Sequence, residues 1–396
     1  MRINLRRCRE KNVIYPILIF LCMLLCCVII KNRIKKSKNN IPNNEVLLTK
    51  PVIEKSKKVL VLPTLVMACN VQFLRRSIES LQNFRPDPKS FPIIVASKSA
   101  NCYSKETHDL INFFHQQLTT TFLEIPKQTF GHNYKYALNY VFKTLKHKAV
   151  IVLEDNLDVS PDFFEYFLGT YPLLKKDPSI WCVSAWNDNG KKGVVEARKH
   201  HLLHRTDFFP GHGWMLLSET WGEIESILPG YFIDDLMRNP DVTQGRVCIR
   251  PEISRTYKFG VYESNNVKEL PYRHFDNEQR LLNTEFVPFT RQNLDYLLME
   301  QQHLWVNFVY SCPETTVEDI KTGKVNSTSK YVRISYSNAT MFKRAAKTIG
   351  LMDDFMHGVP RTGLYGIVQC FINNRRVFLT PVRKRFKTYI NKSFLL

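Results

Sequence analysis

The sequence lacks several motifs that mark common classes of ligand-binding protein. It contains no Gly-x-Gly-x-x-Gly and no Walker-type loop, so a glycine turn does not hold the phosphates of any nucleotide that binds. No Cys-x-x-Cys pair occurs, which argues against a zinc site. Internal repeats, low-complexity tracts and stripes of interleaved basic and aromatic residues are also missing, and we therefore expect no nucleic-acid partner.

The net charge of +20 is unevenly distributed along the 396 residues. Residues 1–58 contain 14 Lys and Arg against three Glu, which is more than half of the excess. The remaining 338 residues carry a net charge of only +9. A mild positive bias of this kind suits an anionic nucleotide ligand.

An uncharged, almost wholly apolar run covers residues 13–30. A helix of this length spans roughly 27 Å, about the thickness of an early-secretory bilayer. A cleavable signal peptide is the alternative, but no small-x-small cleavage site follows the run. We predict a cytoplasmic tail at 1–12, a signal-anchor helix at 13–30, a stem at 31–58 and a lumenal catalytic-type domain at 59–396.

Glycosylation sequons decide the predicted orientation, because basic residues flank the apolar run equally on both sides. Sequons begin at Asn326, Asn338 and Asn391, all on the C-terminal side, and they are usable only in a lumenal domain. Six cysteines lie beyond the stem, and an even number in a lumenal domain favours disulfide bonds.

The head alternates predicted strands and helices. Strand-like runs at 59–68, 91–96, 121–125 and 149–153 alternate with helical stretches at 73–81, 104–118 and 134–145. This alternation is typical of βαβ units and predicts an α/β domain with a parallel sheet. Beyond this half, a strand is predicted at 181–185, a loop at 205–213 and a packed segment at 214–221.

An apolar strand that runs into acidic residues is the organising feature of the head. Residues 149–153 are all apolar and three of them are β-branched, which predicts a strand buried on both faces. Three carboxylates follow within five residues, at Glu154, Asp155 and Asp158.

A helix is predicted directly after this turn, with Ser160 as N-cap and Pro161 at the first helical position. The arrangement puts Glu154, Asp155 and Asn156 at the carboxyl end of the sheet, where ligands bind in open α/β folds. The turn is therefore a candidate for holding a divalent cation and, through it, nucleotide phosphates. The alternative is that these acidic residues only favour the helix N-terminus through its dipole.

A second acidic pair, Asp234 and Asp235, lies beside a hydrophobic patch within residues 231–238. A carboxylate against apolar surface can have its pKa raised towards that of a general base. The alternative is a solvated helix cap.

Six short stretches of sequence are similar to a known protein family. They are Pro161–Phe167 (PDFFEYF), 181–190 (WCVSAWNDNG), 205–211 (RTDFFPG), 250–256 (RPEISRT), 351–354 (LMDD) and 358–361 (GVPR). Together they resemble the family of inverting β-1,2-N-acetylglucosaminyltransferases typified by N-acetylglucosaminyltransferase I, over roughly residues 59–385.

The resemblance implies a GT-A glycosyltransferase fold, an α/β domain with a Rossmann-like, mostly parallel sheet and a smaller C-terminal extension. It implies UDP-N-acetylglucosamine (UDP-GlcNAc) as donor, Mn²⁺ as cofactor and residence in the Golgi membrane. The implied acceptor is the 2-hydroxyl of the α1,3-linked mannose of a high-mannose N-glycan on a glycoprotein. A different mannose acceptor, such as protein-linked O-mannose, is an alternative within the family.

The resemblance also assigns roles residue by residue. Asp234 stands where the family has its catalytic base. Glu154 and Asp155 match donor-binding positions, and Asn156 matches the residue that contacts the metal. The implied disulfide pairs are Cys69–Cys102 and Cys182–Cys248, with Cys312 and Cys370 as a candidate third pair.

Departures from the family pattern gather on the donor side. The metal-contacting aspartate is replaced by Asn156, which leaves the site one negative charge short. At the other donor-binding positions the family's Arg, Asp, His and Ser are replaced by Val71, Lys98, Asn133 (with His132 adjacent) and Asn265 (or Ser264 after a one-residue slip). Each lost charged contact costs roughly 1.5–3 kcal/mol.

Two functions follow as hypotheses. The first is an active or weakened β-1,2-N-acetylglucosaminyltransferase, supported by the intact Glu154, Asp155 and Asp234. The second is a non-catalytic paralogue that binds glycan or partners an active transferase, supported by the altered donor-side residues.

Overall fold

The computed structural model describes residues 60–98, 109, 112–114, 120–125, 130–227, 233–260 and 280–382. The chain divides into two units, Met1–Lys58 and Val59–Leu396, and every described residue belongs to the second. The predicted tail, signal anchor and stem therefore lie outside the described residues, as do Cys102, Asn265 and most of the helix predicted at 104–118. In the part of the chain that is described, no helix is long and apolar enough to cross a membrane.

In the described residues, ten strands precede the C-terminal part of the head. They are β1 (Thr64–Ala68), β2 (Ile93–Lys98), β3 (Thr120–Ile125), β4 (Ala149–Glu154), β5 (Leu157–Val159), β6 (Ile180–Ser184), β7 (Leu203–Thr206), β8 (Trp214–Leu217), β9 (Val247–Pro251) and β10 (Thr256–Lys258). Eight of them form one sheet in the order β3-β2-β1-β4-β8-β6-β9-β7. Strands β7 and β8 run antiparallel to the other six, and β5 pairs with β10 in a small antiparallel ribbon.

Helices connect these strands. They are α1 (Val71–Phe84), α2 (Phe130–Asn139), α3 (Phe163–Lys176), α4 (Ser218–Ile224), α5 (Ile233–Arg238) and α6 (Pro240–Thr243). Helix α1 begins where it does because the side chain of Asn70 accepts hydrogen bonds from the N–H groups of Gln72 and Phe73, which satisfies two otherwise unpaired donors.

The sheet is buried on both faces, as the apolar run at 149–153 predicts. Ala149, Ile151 and Leu153 pack into one core cluster with residues of α1 and α3. Val150 and Val152 point the other way and pack into a second cluster with residues of α2. The resulting three layers make this half of the head an α/β sandwich.

The C-terminal part adds a smaller sheet. Its elements are α7 (Met299–Ser311), α8 (Val317–Thr322), β11 (Tyr331–Tyr336), α9 (Ala339–Thr348), β12 (Phe355–Met356), β13 (Val359–Pro360), β14 (Val368–Ile372) and β15 (Arg375–Pro381). Strands β11, β15 and β14 form a three-stranded sheet over a third core cluster. The predicted fold class, a mostly parallel Rossmann-like sheet with a smaller C-terminal extension, is confirmed.

A buried ionic network joins this extension to the central sheet. Glu252, just after β9, accepts hydrogen bonds from Nη1 of Arg376 at 2.9 Å and pairs with Nε2 of His204 at 2.6 Å. Burial opposes ionisation of Glu252, but these two neighbours outweigh it and hold its pKa well below its usual value. Since a buried charge is costly without its partner, the network fixes where β15 docks.

Most predicted elements are confirmed, but the predicted start of helix α3, with Ser160 as N-cap and Pro161 at the first helical position, and the predicted start of the loop at 205–213 are wrong. Helix α3 begins at Phe163, and Ser160 does not cap it: its hydroxyl donates instead to Oδ1 of Asp162 at 2.6 Å. Asp162 is held by the buried guanidinium of Arg255, at 3.0 Å from Nη2. The loop predicted at 205–213 in fact begins inside β7.

The cysteines of the described region fall into two groups. Cys182 and Cys248 are joined by a disulfide across the neighbouring strands β6 and β9, the pair that the resemblance implied. Cys312 and Cys370 are both buried thiols, so the candidate third pair is wrong for this structure: their Sγ atoms donate to the carbonyl oxygens of Phe308 and Val377.

The substitution Asp162→Asn tests the buried pair with Arg255. Both side chains are fully buried, and breaking such a pair costs about 3–5 kcal/mol of unfolding free energy. The matched control is Asp158→Asn, because the partner of Asp158, Arg76, is 55% exposed, and an exposed pair contributes about 0–1 kcal/mol. Denaturant titration of the full chain measures both, and equal losses would contradict this assignment.

Candidate functional site

Asp155 joins the carboxyl ends of the two central strands. Its Oδ2 accepts hydrogen bonds from the backbone N–H groups of Cys69 at 2.5 Å and Asn70 at 2.8 Å, directly after β1. Strand order reverses between β1 and β4, which is the switch point where open α/β sheets bind ligands. Burial raises the pKa of Asp155 to about 6, although the two N–H groups act against this.

Four buried polar atoms near this edge have no hydrogen-bond partner among the described residues. They are Ser97 Oγ, Asn133 Oδ1, Asp155 Oδ1 and Asn156 Oδ1. Ser97 is level with Ala68 at the end of the neighbouring strand β2. Buried polar atoms in native proteins almost always have partners, so a cluster of unpaired ones indicates a place for a ligand, ion or water.

The amide of Asn156 is held in one orientation. Its Nδ2 donates to the carbonyl oxygen of Gly260 at 2.8 Å, and its backbone oxygen accepts from the N–H of Phe259 at 3.1 Å. This leaves Oδ1 of Asn156 available and makes it, like Oδ1 of Asp155, a candidate oxygen ligand for a hard cation. No group of three or more His, Cys, Asp or Glu side chains in the described ranges is arranged to hold a metal ion.

The loop 211–213 lies next to this edge in an unusual backbone conformation. Gly211, His212 and Gly213 have φ angles of +69°, +48° and +90°, a region that non-glycine residues seldom adopt. The carbonyl oxygens of the three residues accept hydrogen bonds from Ser184 Oγ, Thr256 Oγ1 and the N–H of Ala185. The loop is therefore fixed at every residue.

His212 brings this loop to the acidic turn. Its Nδ1 lies 3.0 Å from Oε2 of Glu154, and its ring meets that of Trp186 edge-on at 4.8 Å between centroids. Burial opposes ionisation of Glu154, but the neighbouring His212, Lys258 and Arg238 outweigh it and lower its pKa. Glu154 is thus held as a carboxylate.

Asp234, in the first turn of α5, lies on the other side of the same loop. A Cβ atom added to Gly211 would lie 3.7 Å from Oδ1 of Asp234. Oδ2 of Asp234 is 3.4 Å from Nη2 of Arg238, one helical turn on, and the Arg238 Nε donates to the Phe209 carbonyl oxygen. Asp234 is 38% exposed, so it is open to a ligand.

Tyr134 of helix α2 shows that the two acidic constellations share one neighbourhood. Burial raises its pKa well above the usual value, and the negative charges of Glu154, Asp234 and Asp155 add to the shift. Together with the contacts of His212 and Gly211, this puts the predicted donor-binding Glu154 and the predicted base Asp234 next to the same loop.

Beyond Asp234 the site borders the C-terminal extension. The Arg361 side chain is buried and pairs with Asp188 at 2.8 Å and with Asp354 at 2.8 Å. The guanidinium groups of Arg361 and Arg238 lie 5.0 and 4.8 Å from the ring centroid of Phe208. These contacts tie together several of the stretches that carried the family resemblance.

The predicted donor-side residues have mixed environments. Val71, at the start of α1, packs against the main core cluster, and Asn133 is buried in α2. Lys98 ends β2, and Cys69 is exposed beside Asp155. Asn265 lies outside the described residues.

Sequence reasoning missed His212, Arg238 and Tyr134. The Gly-His-Gly sequence at 211–213 was a usable signal, since two glycines around one polar residue favour positive φ. Arg238 follows Asp234 by four residues, the spacing of a helical ion pair. Nothing in the sequence distinguishes Tyr134 from an ordinary core residue.

Comparisons with known proteins add independent information. A family model described as the GNT-I family matches residues 28–392. The Alpha-1,3-mannosyl-glycoprotein 2-beta-N-acetylglucosaminyltransferase of Arabidopsis thaliana is 31% identical over 326 residues, which cover 79% of this chain and 72% of that protein.

Similarity to solved structures is more distant. S. aureus TarS 1-349 is 11% identical with a TM-score of 0.35, over 48% of this chain and 58% of that one. The Pyrobaculum calidifontis mannosyltransferase PcManGT, in complex with GDP-Man and Mn²⁺, is 12% identical with a TM-score of 0.34, over 49% and 57%. The match thus spans less than two thirds of each of these structures.

Asp207 gives a pH test of how the 205–211 stretch is anchored. Its carboxylate accepts from the N–H of Tyr365, and burial raises its pKa from 3.8 to about 7. Because the folded state then holds the proton more tightly than the unfolded state, the stabilisation is complete below pH ~4 and is lost as the pH rises towards 7. Relative to Asp207→Asn, the wild type should lose roughly 2–3 kcal/mol between pH 5 and 7.5.

Asp177→Asn is the control for this pH dependence. Burial opposes ionisation of Asp177, but Ser179, Met299 and Arg205 outweigh it and lower its pKa. Asp177 is then ionised in both states above pH 5, and the wild-type-minus-variant difference should stay flat in the same window. Urea titrations of the full chain at several pH values measure both, and a flat difference for Asp207→Asn would refute the assignment.

Proposed function

This chain belongs to the GNT-I family, and on that premise we propose that it is an inverting β-1,2-N-acetylglucosaminyltransferase. It transfers N-acetylglucosamine from UDP-GlcNAc to the 2-hydroxyl of the α1,3-linked mannose of a high-mannose N-glycan, which starts hybrid and complex N-glycans. The family and the name of the Arabidopsis relative support N-acetylglucosaminyltransferase activity on N-glycans. The structural observation that carries the proposal is that Glu154 and Asp234 both lie against the loop 211–213, Glu154 through His212 and Asp234 beside Gly211.

The donor binds at the carboxyl ends of β1, β2 and β4. Four buried polar atoms, in Ser97, Asn133, Asp155 and Asn156, have no hydrogen-bond partner in the described part of the chain, and this supports the location because a polar ligand would satisfy them. Glu154 is kept ionised by His212 and can accept hydrogen bonds from the ligand. The switch-point position supports the same location.

Mn²⁺ is the proposed cofactor, and the side-chain oxygens of Asn156 and Asp155 would hold it together with the donor's diphosphate. Oxygen atoms of this kind are what hard divalent cations bind. When bound, such a cation neutralises charge that builds on the departing diphosphate. The Nδ2 contact with Gly260 supports the assignment, since it turns the amide so that its oxygen remains available.

Asp234 acts as the general base. It takes the proton from the mannose 2-hydroxyl as that oxygen attacks the anomeric carbon from the face opposite UDP, so the configuration inverts. Arg238 orients the carboxylate from one helical turn away and is itself fixed by the Phe209 carbonyl. A carboxylate that both pairs with an arginine and stays partly exposed is suited to meet an incoming hydroxyl.

A glycan-binding or partner protein without transfer activity is the second candidate. It is favoured by Val71, which is partly buried, packs against the apolar core and offers the nucleotide no charge. The acceptor-side residues around Phe208 keep their ion pairs in either case. Binding of UDP-GlcNAc with Mn²⁺ at micromolar concentrations, measured by calorimetry, would count against this candidate.

A Golgi location completes the proposal. The predicted signal anchor at 13–30, the basic stem and the C-terminal sequons support a single-pass type II protein with its head in the lumen. Protection of the head from added protease in intact Golgi vesicles tests this topology.

Replacing the proposed base should stop transfer without stopping donor binding. Asp234→Asn should lower the transfer rate about 10²–10⁴-fold, the usual contribution of a general base, while UDP-GlcNAc still binds. The adjacent Asp235→Asn is the matched control: Asp235 is 65% exposed and pairs with His357, so the loss should stay below about fivefold. Rates are measured with the full chain, Mn²⁺ and a five-mannose glycan, and equal effects of the two substitutions would contradict the role of Asp234.

Restoring a carboxylate at position 156 should strengthen metal binding. Asn156→Asp adds a negative charge to the cation site, and we expect Mn²⁺ affinity to rise about tenfold or more. The variant also loses the hydrogen bond from Nδ2 to the Gly260 carbonyl, which should lower the free energy of unfolding by roughly 1 kcal/mol. Asn373→Asp is the control, because it loses an equivalent Nδ2 bond, to the Ile320 carbonyl at 2.7 Å, in the C-terminal extension. Calorimetry with Mn²⁺ measures affinity, and a rise in turnover as well would exclude the non-catalytic candidate.

A further inference from the structure

The loop 211–213 is more than a connection between β7 and β8. A run of three positive φ angles, one of them at a non-glycine residue, costs free energy and persists only where its surroundings enforce it. Here all three carbonyl oxygens are hydrogen-bonded. A Cβ at Gly213 would lie 2.9 Å from Thr256 Cγ2, so the neighbouring chain also constrains the backbone.

This conformation gives His212 a defined position. Its side chain is only 12% exposed, against 23% for Glu154, and the imidazole contacts that carboxylate on one side and Trp186 on the other. Nδ1 of His212 is hydrogen-bonded to Oε2 of Glu154. The other oxygen, Oε1, is therefore the one that can accept a hydrogen bond from a ligand. The preceding residue, Gly211, faces Asp234.

We propose that His212 is a positioning residue of the donor site, which fixes the Glu154 carboxylate so that its second oxygen meets the sugar nucleotide. This inference rests on the proposed function and extends it to a residue outside the acidic turn. The strained backbone matters because it aims the imidazole at Glu154 while keeping Gly211 against Asp234. The same loop thus fixes the orientation of the Glu154 carboxylate and limits the space next to Asp234.

Position 212 offers an unusually close set of variants. Asn and Asp have the same shape, and both tolerate positive φ better than other non-glycine residues. In His212→Asn, Nδ2 is bonded to Cγ as Nδ1 is in histidine, so it can still donate a hydrogen bond to Glu154. In His212→Asp the same position carries an oxygen that repels Glu154, and His212→Gly removes the contact with no backbone strain.

The experiment compares donor and acceptor kinetics in the full chain with Mn²⁺. We expect the KM for UDP-GlcNAc to rise less than about threefold in His212→Asn and roughly tenfold or more in His212→Asp, because a carboxylate pair repels at this range. The KM for the glycan should stay within about threefold in both variants. In a Glu154→Gln background the two variants should become equal within about threefold, since the repelled charge is gone.

Three outcomes overturn the proposal. Equal donor KM values for His212→Asn and His212→Asp in the wild-type background would show that the contact with Glu154 does not matter. A difference that persists with Glu154→Gln would show that position 212 acts through the fold alone. If His212→Asp does not fold, as thermal unfolding reports, a donor KM for His212→Gly equal to that of His212→Asn overturns it.

Failure of the proposed function looks different from these outcomes. In that case the wild type itself neither binds UDP-GlcNAc in calorimetry nor hydrolyses it, and both proposals fall together. A wild type that binds the donor, with variants that do not differ, removes only the role of His212.

Discussion

The candidate site depends on two hydrogen bonds that the buried carboxylate of Asp155 accepts from backbone N–H groups. By bonding Cys69 and Asn70, the carboxylate holds the first turn after β1 against the first turn after β4. The other carboxylate oxygen of Asp155, Oδ1, is buried and has no hydrogen-bond partner among the residues that the structure describes. Burial alone would favour the neutral acid. The two N–H groups stabilise the ionised form and so partly offset the free-energy cost of burying the charge. The ligand site is thus built from the strand ends themselves.

The parts of the fold that followed from the sequence are those set by local patterns. An apolar run without alternation has one stable solution, a strand covered on both faces, and residues 149–153 divide between two core clusters as expected. Helix starts were harder, because a good N-cap can have a stronger partner elsewhere. Ser160 met the local criteria, yet Asp162 beside it is committed to Arg255, 93 residues later in the sequence, and no local pattern reveals that pair.

The site shows the same division between local and distant causes. The position of Glu154, Asp155 and Asn156 at the sheet edge followed from the strand and turn alone. The sequence could not supply the approach of the loop 211–213, since its conformation depends on hydrogen-bond donors at Ser184, Ala185 and Thr256. Tyr134, which lies near all three carboxylates, was equally hidden, because its burial and its neighbours are purely tertiary.

The two halves of the site are held by separate sets of contacts. Donor-side residues depend on the ends of β1 and β4 and on the ribbon formed by β5 and β10. The acceptor side depends on Arg238 and Arg361 around Phe208, and so on the docking of the C-terminal extension. Contacts that share no residue change almost independently. The proposed donor and acceptor sides can therefore change separately, and among the described residues the loop 211–213 and Arg238 link them, since both lie by Asp234 and both act on Glu154.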